Sequence, residues 1–160
     1  MKTTRHLLFL LLAAGLVPTS YAVLGESAAK IRERFGKPMP QVHNDPTSQV
    51  WLFEGEDGQL VYSVTLDAKG ISIAEGLKPL KLAKFPRATV QDFIDGQLAP
   101  YRGSKTVLTP KAGEKYTFGG KVFVCGDHES IVVDDPNRIL IIWSTGGAPS
   151  VIAVRPELFH

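Results

Sequence analysis

Leu60-Val61-Tyr62-Ser63-Val64-Thr65-Leu66-Asp67-Ala68-Lys69-Gly70-Ile71-Ser72-Ile73 is the stretch that decides how this chain folds. Leu60, Tyr62, Val64 and Leu66 alternate with Val61, Ser63, Thr65 and Asp67. That period of two buries one face of a strand and wets the other. Asp67 to Gly70 reads as a turn, and Ile71 and Ile73 begin the next strand. Strands joined so tightly run antiparallel. Upstream, Glu56-Asp57-Gly58 is a hairpin signal and Val50 to Phe53 is apolar and β-prone, so a three-strand meander is expected.

A short helix precedes the meander. Leu24, Ala28, Ile31 and Phe35 fall at spacings of four, three and four, one stripe of a 3.6-residue period. Gly36 supplies a stop, and Pro38 and Pro40 prevent continuation. Downstream, residues 76–88 read as a connector interrupted by Gly76, Pro79 and Pro86. A second helix is expected from Thr89, with Val90, Phe93, Ile94, Leu98 and Tyr101 as its apolar stripe. Thr89 and Asp92 stand as a capping box with Asp in place of Glu. Further strands are expected at 106–108, 115–118, 121–125, 130–133, 138–143 and 150–154. The Ile139 to Trp143 run is apolar on both faces, as in a central strand.

The element order gives an α+β fold: two short helices packed on mostly antiparallel sheet. The order helix then meander occurs twice, so a tandem arrangement is one reading of it, with halves 23–80 and 88–160 joined by a basic connector. The opening Leu24-Gly25-Glu26-Ser27-Ala28-Ala29-Lys30-Ile31-Arg32-Glu33-Arg34-Phe35-Gly36-Lys37-Pro38 resembles the start of small exported bacterial proteins of unknown function. It is also faintly similar to the helix-then-Gly-Pro opening of BamE-like and beta-lactamase-inhibitor-like modules. The resemblance implies an α+β binding module without catalysis and carries over no functional residue.

The first 22 residues have a separate logic. Lys2 and Arg5 precede the apolar run Leu7 to Val17, Pro18 ends it, and Ser20-Tyr21-Ala22 offers a cut before Val23. That is the pattern of a cleavable export signal, which sends residues 23–160 to the periplasm or the medium as a single domain. A membrane anchor fits less well, since the apolar core reaches only about 16 Å along a helix, roughly half of a bilayer's hydrocarbon. No later segment is long and apolar enough to span. The whole chain carries 18 Lys and Arg against 16 Asp and Glu. The signal takes Lys2 and Arg5 and no acid, leaving 16 against 16. A neutral domain has no global field for nucleic acid.

Cys125 is the sole cysteine, so no internal disulfide can form. The one local cluster of reactive side chains is Cys125, Asp127 and His128. These residues could serve a small exported hydrolase as thiol, acid and base. A buried strand end followed by a polar turn is the simpler reading. Without paired spacings such as C-x-x-C, no metal site and no cofactor are expected. His43 and Asp45 sit in a Pro-bounded loop, and Glu54, Glu56, Glu75, Glu114 and Glu129 are too many carboxylates to select a glycosidase-like pair. Gly119-Gly120 and Gly146-Gly147 lack the context of a nucleotide-binding loop.

Two features suggest a binding surface. Lys78, Lys81, Lys84 and Arg87 recur every three residues, with Leu80, Leu82 and Phe85 interleaved. Such a segment suits an anionic surface polymer or an envelope protein. Trp51 and Trp143 would present a contact surface if they lay on a sheet face left bare by the helices. The expectation is therefore a non-enzymatic interaction module of the cell envelope, with the hydrolase as the alternative.

Overall fold

The structure, a computed structural model, describes residues 23–40, 48–55, 58–80 and 85–159. The expected signal, the His43 and Asp45 loop, Glu56, Lys81, Lys84 and His160 lie outside the described residues. Helix α1 spans Ala28–Phe35. Its cap is Ser27, whose side chain accepts the Lys30 N–H, and Gly36 closes it at φ +77°. Ile31 is buried, while Leu24 lies outside the helix in a strap that precedes it.

The first meander is β1 (Ser48–Glu54), β2 (Leu60–Asp67) and β3 (Ser72–Pro79). Tyr62, Val64 and Leu66 are buried on one face, as the alternation predicts, with Trp51 and Phe53 of β1 beside them; Val61, expected on the wet face, is buried as well. The expected connector begins too early, because Gly76, Lys78 and Pro79 belong to β3. Gly76 misled the reading, and its cause is packing. A Cβ there would come within 3.1 Å of Ser63 Oγ and 3.2 Å of the Val151 carbonyl oxygen. Glycine here admits a neighbouring strand and does not break the chain.

Helix α2 is Arg87–Leu98, followed by a 3-10 turn at Ala99–Tyr101. It starts before the expected Thr89. Pro86 is the cap and no side chain completes one; the Val90 N–H donates to the Pro86 carbonyl. Proline has already fixed the entry φ there, so the chain can turn helical without a capping box. Val90, Phe93 and Gln97 face inward.

The remaining strands are β4 (Lys115–Phe118), β5 (Lys121–Val124), β6 (Glu129–Asp134), β7 (Ile139–Ser144) and β8 (Ser150–Val154). Six strands form one sheet in the order β1-β2-β3-β8-β7-β6, every pair antiparallel. Strand β7 is interior to it, as the apolar run implies. The two meanders meet at the β3–β8 seam, where Ala74 to Leu77 face Val154 to Val151. The strand expected at 106–108 is absent. Only Leu108 pairs, exchanging both backbone bonds with Val133, because Ser104 and Thr106 direct their hydroxyls to Asp134 instead.

Both helices cover the same sheet face. Ile31, Val90 and Phe93 pack with Trp51, Phe53, Tyr62, Val64, Leu77, Ile139, Ile141 and Val151. The opposite face of the second meander is covered by the β4–β5 hairpin, a third layer. Tyr116 and Phe118 pack there with Cys125, Ile131, Val133, Leu140 and Val154.

Candidate functional site

The β4–β5 hairpin carries two of the three most exposed large apolar side chains among the described residues. Gly119 and Gly120 both have positive φ, +58° and +77°, which suits a two-residue turn matched to strand twist. The tip is held from two sides. The Gly119 N–H donates to Asp135 at 2.7 Å, and a Cβ on Gly119 would come within 2.7 Å of Pro156. Inward, Tyr116 stacks on Phe123 at 5.6 Å, and Phe159 meets Phe118 and Phe123 at 6.2 and 5.4 Å. The pairing Lys115–Val124 and Thr117–Val122 therefore leaves those four side chains on the outer face.

Val122 and Val124 are 66% and 56% exposed, and Leu108 is 61% exposed. Lys105, Lys111, Lys115 and Lys121 are exposed along the same stretch, with Glu114 as its acid. Glu114 accepts the Lys111 backbone N–H. This apolar and basic ribbon was missed in the sequence. Its signal was present: residues 102–121 hold five cations and one carboxylate.

The sequence-derived binding residues are scattered by comparison. Lys78 is exposed on β3 and Arg87 is exposed at the start of α2. Trp51 is buried on the helix-covered face, with the Arg32 guanidinium 4.5 Å above its ring. Trp143 is half-buried against the same core. Neither lies on the bare sheet face imagined for them, because pairing Trp51 with Val64 and Trp143 with Val151 sets both rings on the helix side.

The reactive cluster does not converge. Cys125 is 2% exposed, and its thiol donates to the carbonyls of Gly126 and Glu129 at 3.7 and 3.8 Å. Burial pushes this thiol above its ordinary range, and Glu129, Glu114 and Asp127 push the same way. A nucleophilic thiol needs the reverse. Asp127 and His128 are exposed on the turn, and Gly146 lies against the His128 ring. Two surface depressions among the described residues, one lined by Arg32, Gly36, Lys37 and Pro38 and the other by Glu26, Lys30, Glu33 and Arg34, contain none of the three residues. Among the described residues, no group of three His, Cys, Asp or Glu is placed to hold a metal.

Two buried carboxylates carry structural work. Glu75, 1% exposed, lies under the helices near the seam. It accepts from the Tyr62 hydroxyl, from Ser72 Oγ at 2.9 Å and from Gln97 Nε2 at 2.8 Å. Desolvation pushes its carboxyl above the usual range; the three donors oppose this and Glu26 adds to it. Asp134 accepts from Ser104 at 2.6 Å, Thr106 at 2.5 Å and Asn137 at 2.8 Å. Desolvation would raise its carboxyl, yet these bonds outweigh it and hold Asp134 below the usual range.

No family model matches the chain and no curated protein matches it. Among solved structures it is similar to a cysteine-rich secretory protein from Staphylococcus aureus, at 12% identity and a TM-score of 0.49. That match covers 85% of this chain and 46% of the other, so the chain spans about half the length of that protein. A likeness so slight carries no argument, and function rests on the residues above.

Proposed function

We propose that the protein is a non-enzymatic interaction module of the cell envelope, exported by its N-terminal signal, which meets its partner through the outer face of the β4–β5 hairpin. The carrying observation is the pair Val122 and Val124, solvent-exposed on a ribbon whose inner face and tip are fixed. Exposed apolar side chains on a rigid, lysine-bearing element match an envelope protein or surface polymer with anionic groups beside apolar ones. Fixed geometry lowers the ordering entropy of binding.

The test is retention of the exported protein on envelope material, with mass spectrometry of what it captures. Val122→Ser with Val124→Ser should leave the melting temperature unchanged and abolish the specific capture. Neutralising Lys78, Lys81, Lys84 and Arg87 in a parallel variant tests the connector. Undiminished capture by the double-serine variant refutes the hairpin as the contact surface.

A further inference from the structure

The strap Val23–Glu26 is pinned at every residue. Val23 O accepts the Glu26 N–H at 3.0 Å, closing a tight turn with Gly25 at φ +91°. Ser72 Oγ, whose proton goes to Glu75, lies 3.4 Å from Val23 O. The Leu24 N–H donates to Gln97 Oε1 at 3.1 Å, and Leu24 O accepts from Arg155 at 3.3 Å. The Gly25 N–H donates to Ser72. The domain therefore grips the chain right up to the residue where the sequence offers its cut.

One hydrogen-bond donor is missing from this place. Glu26 Oε1 pairs with Arg34 at 2.9 Å, but Glu26 Oε2 is buried with no hydrogen-bond partner among the described residues. Glu75 lies near enough to feel the Glu26 charge. The other charged groups around the strap are Lys30, Glu33 and Arg34 on α1 and Arg155 after β8. A buried carboxylate oxygen without a donor is destabilising.

We propose that cleavage between Ala22 and Val23 supplies the donor: the new α-ammonium of Val23 pairs with Glu26 Oε2 across the turn that both residues close. Hydrolysis of that peptide bond by water leaves Ala22 as a carboxylate and Val23 as an amine, which is protonated below its own titration range. Processing then completes the fold as well as releasing it, because an amide at Val23 brings no positive charge to the pocket. The inference rests on the export reading and adds a ligand for an orphaned atom.

The experiment uses the full chain, expressed with its signal, and the processed protein recovered from the exported fraction. Its mass should place the N-terminus at Val23. A start at another residue overturns the pairing but leaves export standing; a chain retained whole in the cell overturns both. N-terminal-selective transamination then replaces the α-amine by a keto group without touching lysine. The melting temperature of the wild type should fall by about 3 °C, the shift expected for one charge-assisted bond in a domain of this size. Glu26→Gln should melt lower than the wild type and be unmoved by transamination, while Glu26→Asp, which keeps the charge on a shorter arm, should keep part of the response. An equal fall in wild type and Glu26→Gln, or no fall in the wild type, overturns the pairing.

Discussion

Replacing Glu75 separates a buried charge from a buried acceptor. In Glu75→Ala, the Tyr62 hydroxyl and the Gln97 amide lose their acceptor, while Ser72 can turn its proton to Val23 O. Removing the acceptor from two buried donors costs about 2–6 kcal/mol together, before any cavity is counted. At roughly 2–4 °C per kcal/mol, the melting temperature should drop by about 4–24 °C from this loss alone. Glu75→Gln differs. Its amide oxygen can accept from both Tyr62 and Gln97, and its amide N–H can donate to Ser72 Oγ, so the network survives without a charge to desolvate. Glu75→Gln should therefore be at least as stable as wild type at pH 7. The pH dependence sharpens this. The folded-state pKa is raised above the ordinary 4.5, so the folded protein holds the proton more tightly than the unfolded chain. That contribution is fully present below pH 4.5 and is lost as pH rises through the folded value. In urea titrations from pH 4 to pH 8, the gap between Glu75→Gln and wild type should widen in favour of Glu75→Gln. A gap that stays constant with pH, or a Glu75→Gln protein as weak as Glu75→Ala at pH 7, refutes the reasoning.

Three further outcomes are expected. Asp134→Ala strips the acceptor from Ser104, Thr106 and Asn137 and should lower stability by about 2–4 kcal/mol at pH 7. Because the folded Asp134 pKa is depressed, that stabilisation exists above pH 3.8 and disappears as pH falls through the folded value, so the variant and wild type should converge in acid. Cys125 should resist a disulfide reagent in the native protein and react fully in guanidinium; rapid native labelling would contradict its burial. Gly25→Ala combines a φ of +91° with a Cβ 2.4 Å from the Arg155 guanidinium, and should melt about 4 °C below wild type; an unchanged melting curve would show that the strap can shift.

The meanders were legible because side-chain alternation along Leu60 to Leu66 reports burial directly, and the Ile139 to Trp143 run reports an interior strand. Strand β3 was less legible because Glu75 and Gly76 break the apolar pattern for reasons lying far along the chain: Gln97 on α2 satisfies the first, and the approach of Val151 demands the second. Thr106 looks strand-like in sequence, and only Asp134, the last residue of β6, shows why it is not. At the site, Cys125 read correctly as a core residue. The tryptophans misled, since a single sequence does not say which face of a sheet the helices will cover. The hairpin's outer valines escaped notice because exposure is decided by the aromatic stack beneath them, formed with Phe159 near the other end of the chain.

The β3–β8 seam also sets an order of events during synthesis. Strand β3 ends at Pro79 and its partner β8 begins at Ser150. The first meander therefore emerges from the ribosome with one edge unfilled, and Glu75 has no Gln97 to meet until α2 has been made. Local hairpins form quickly, but the sheet cannot close until the last strand arrives, and loop closure over that separation is slow. Until β8 is complete, the β3 edge stays open to pairing with any strand that reaches it.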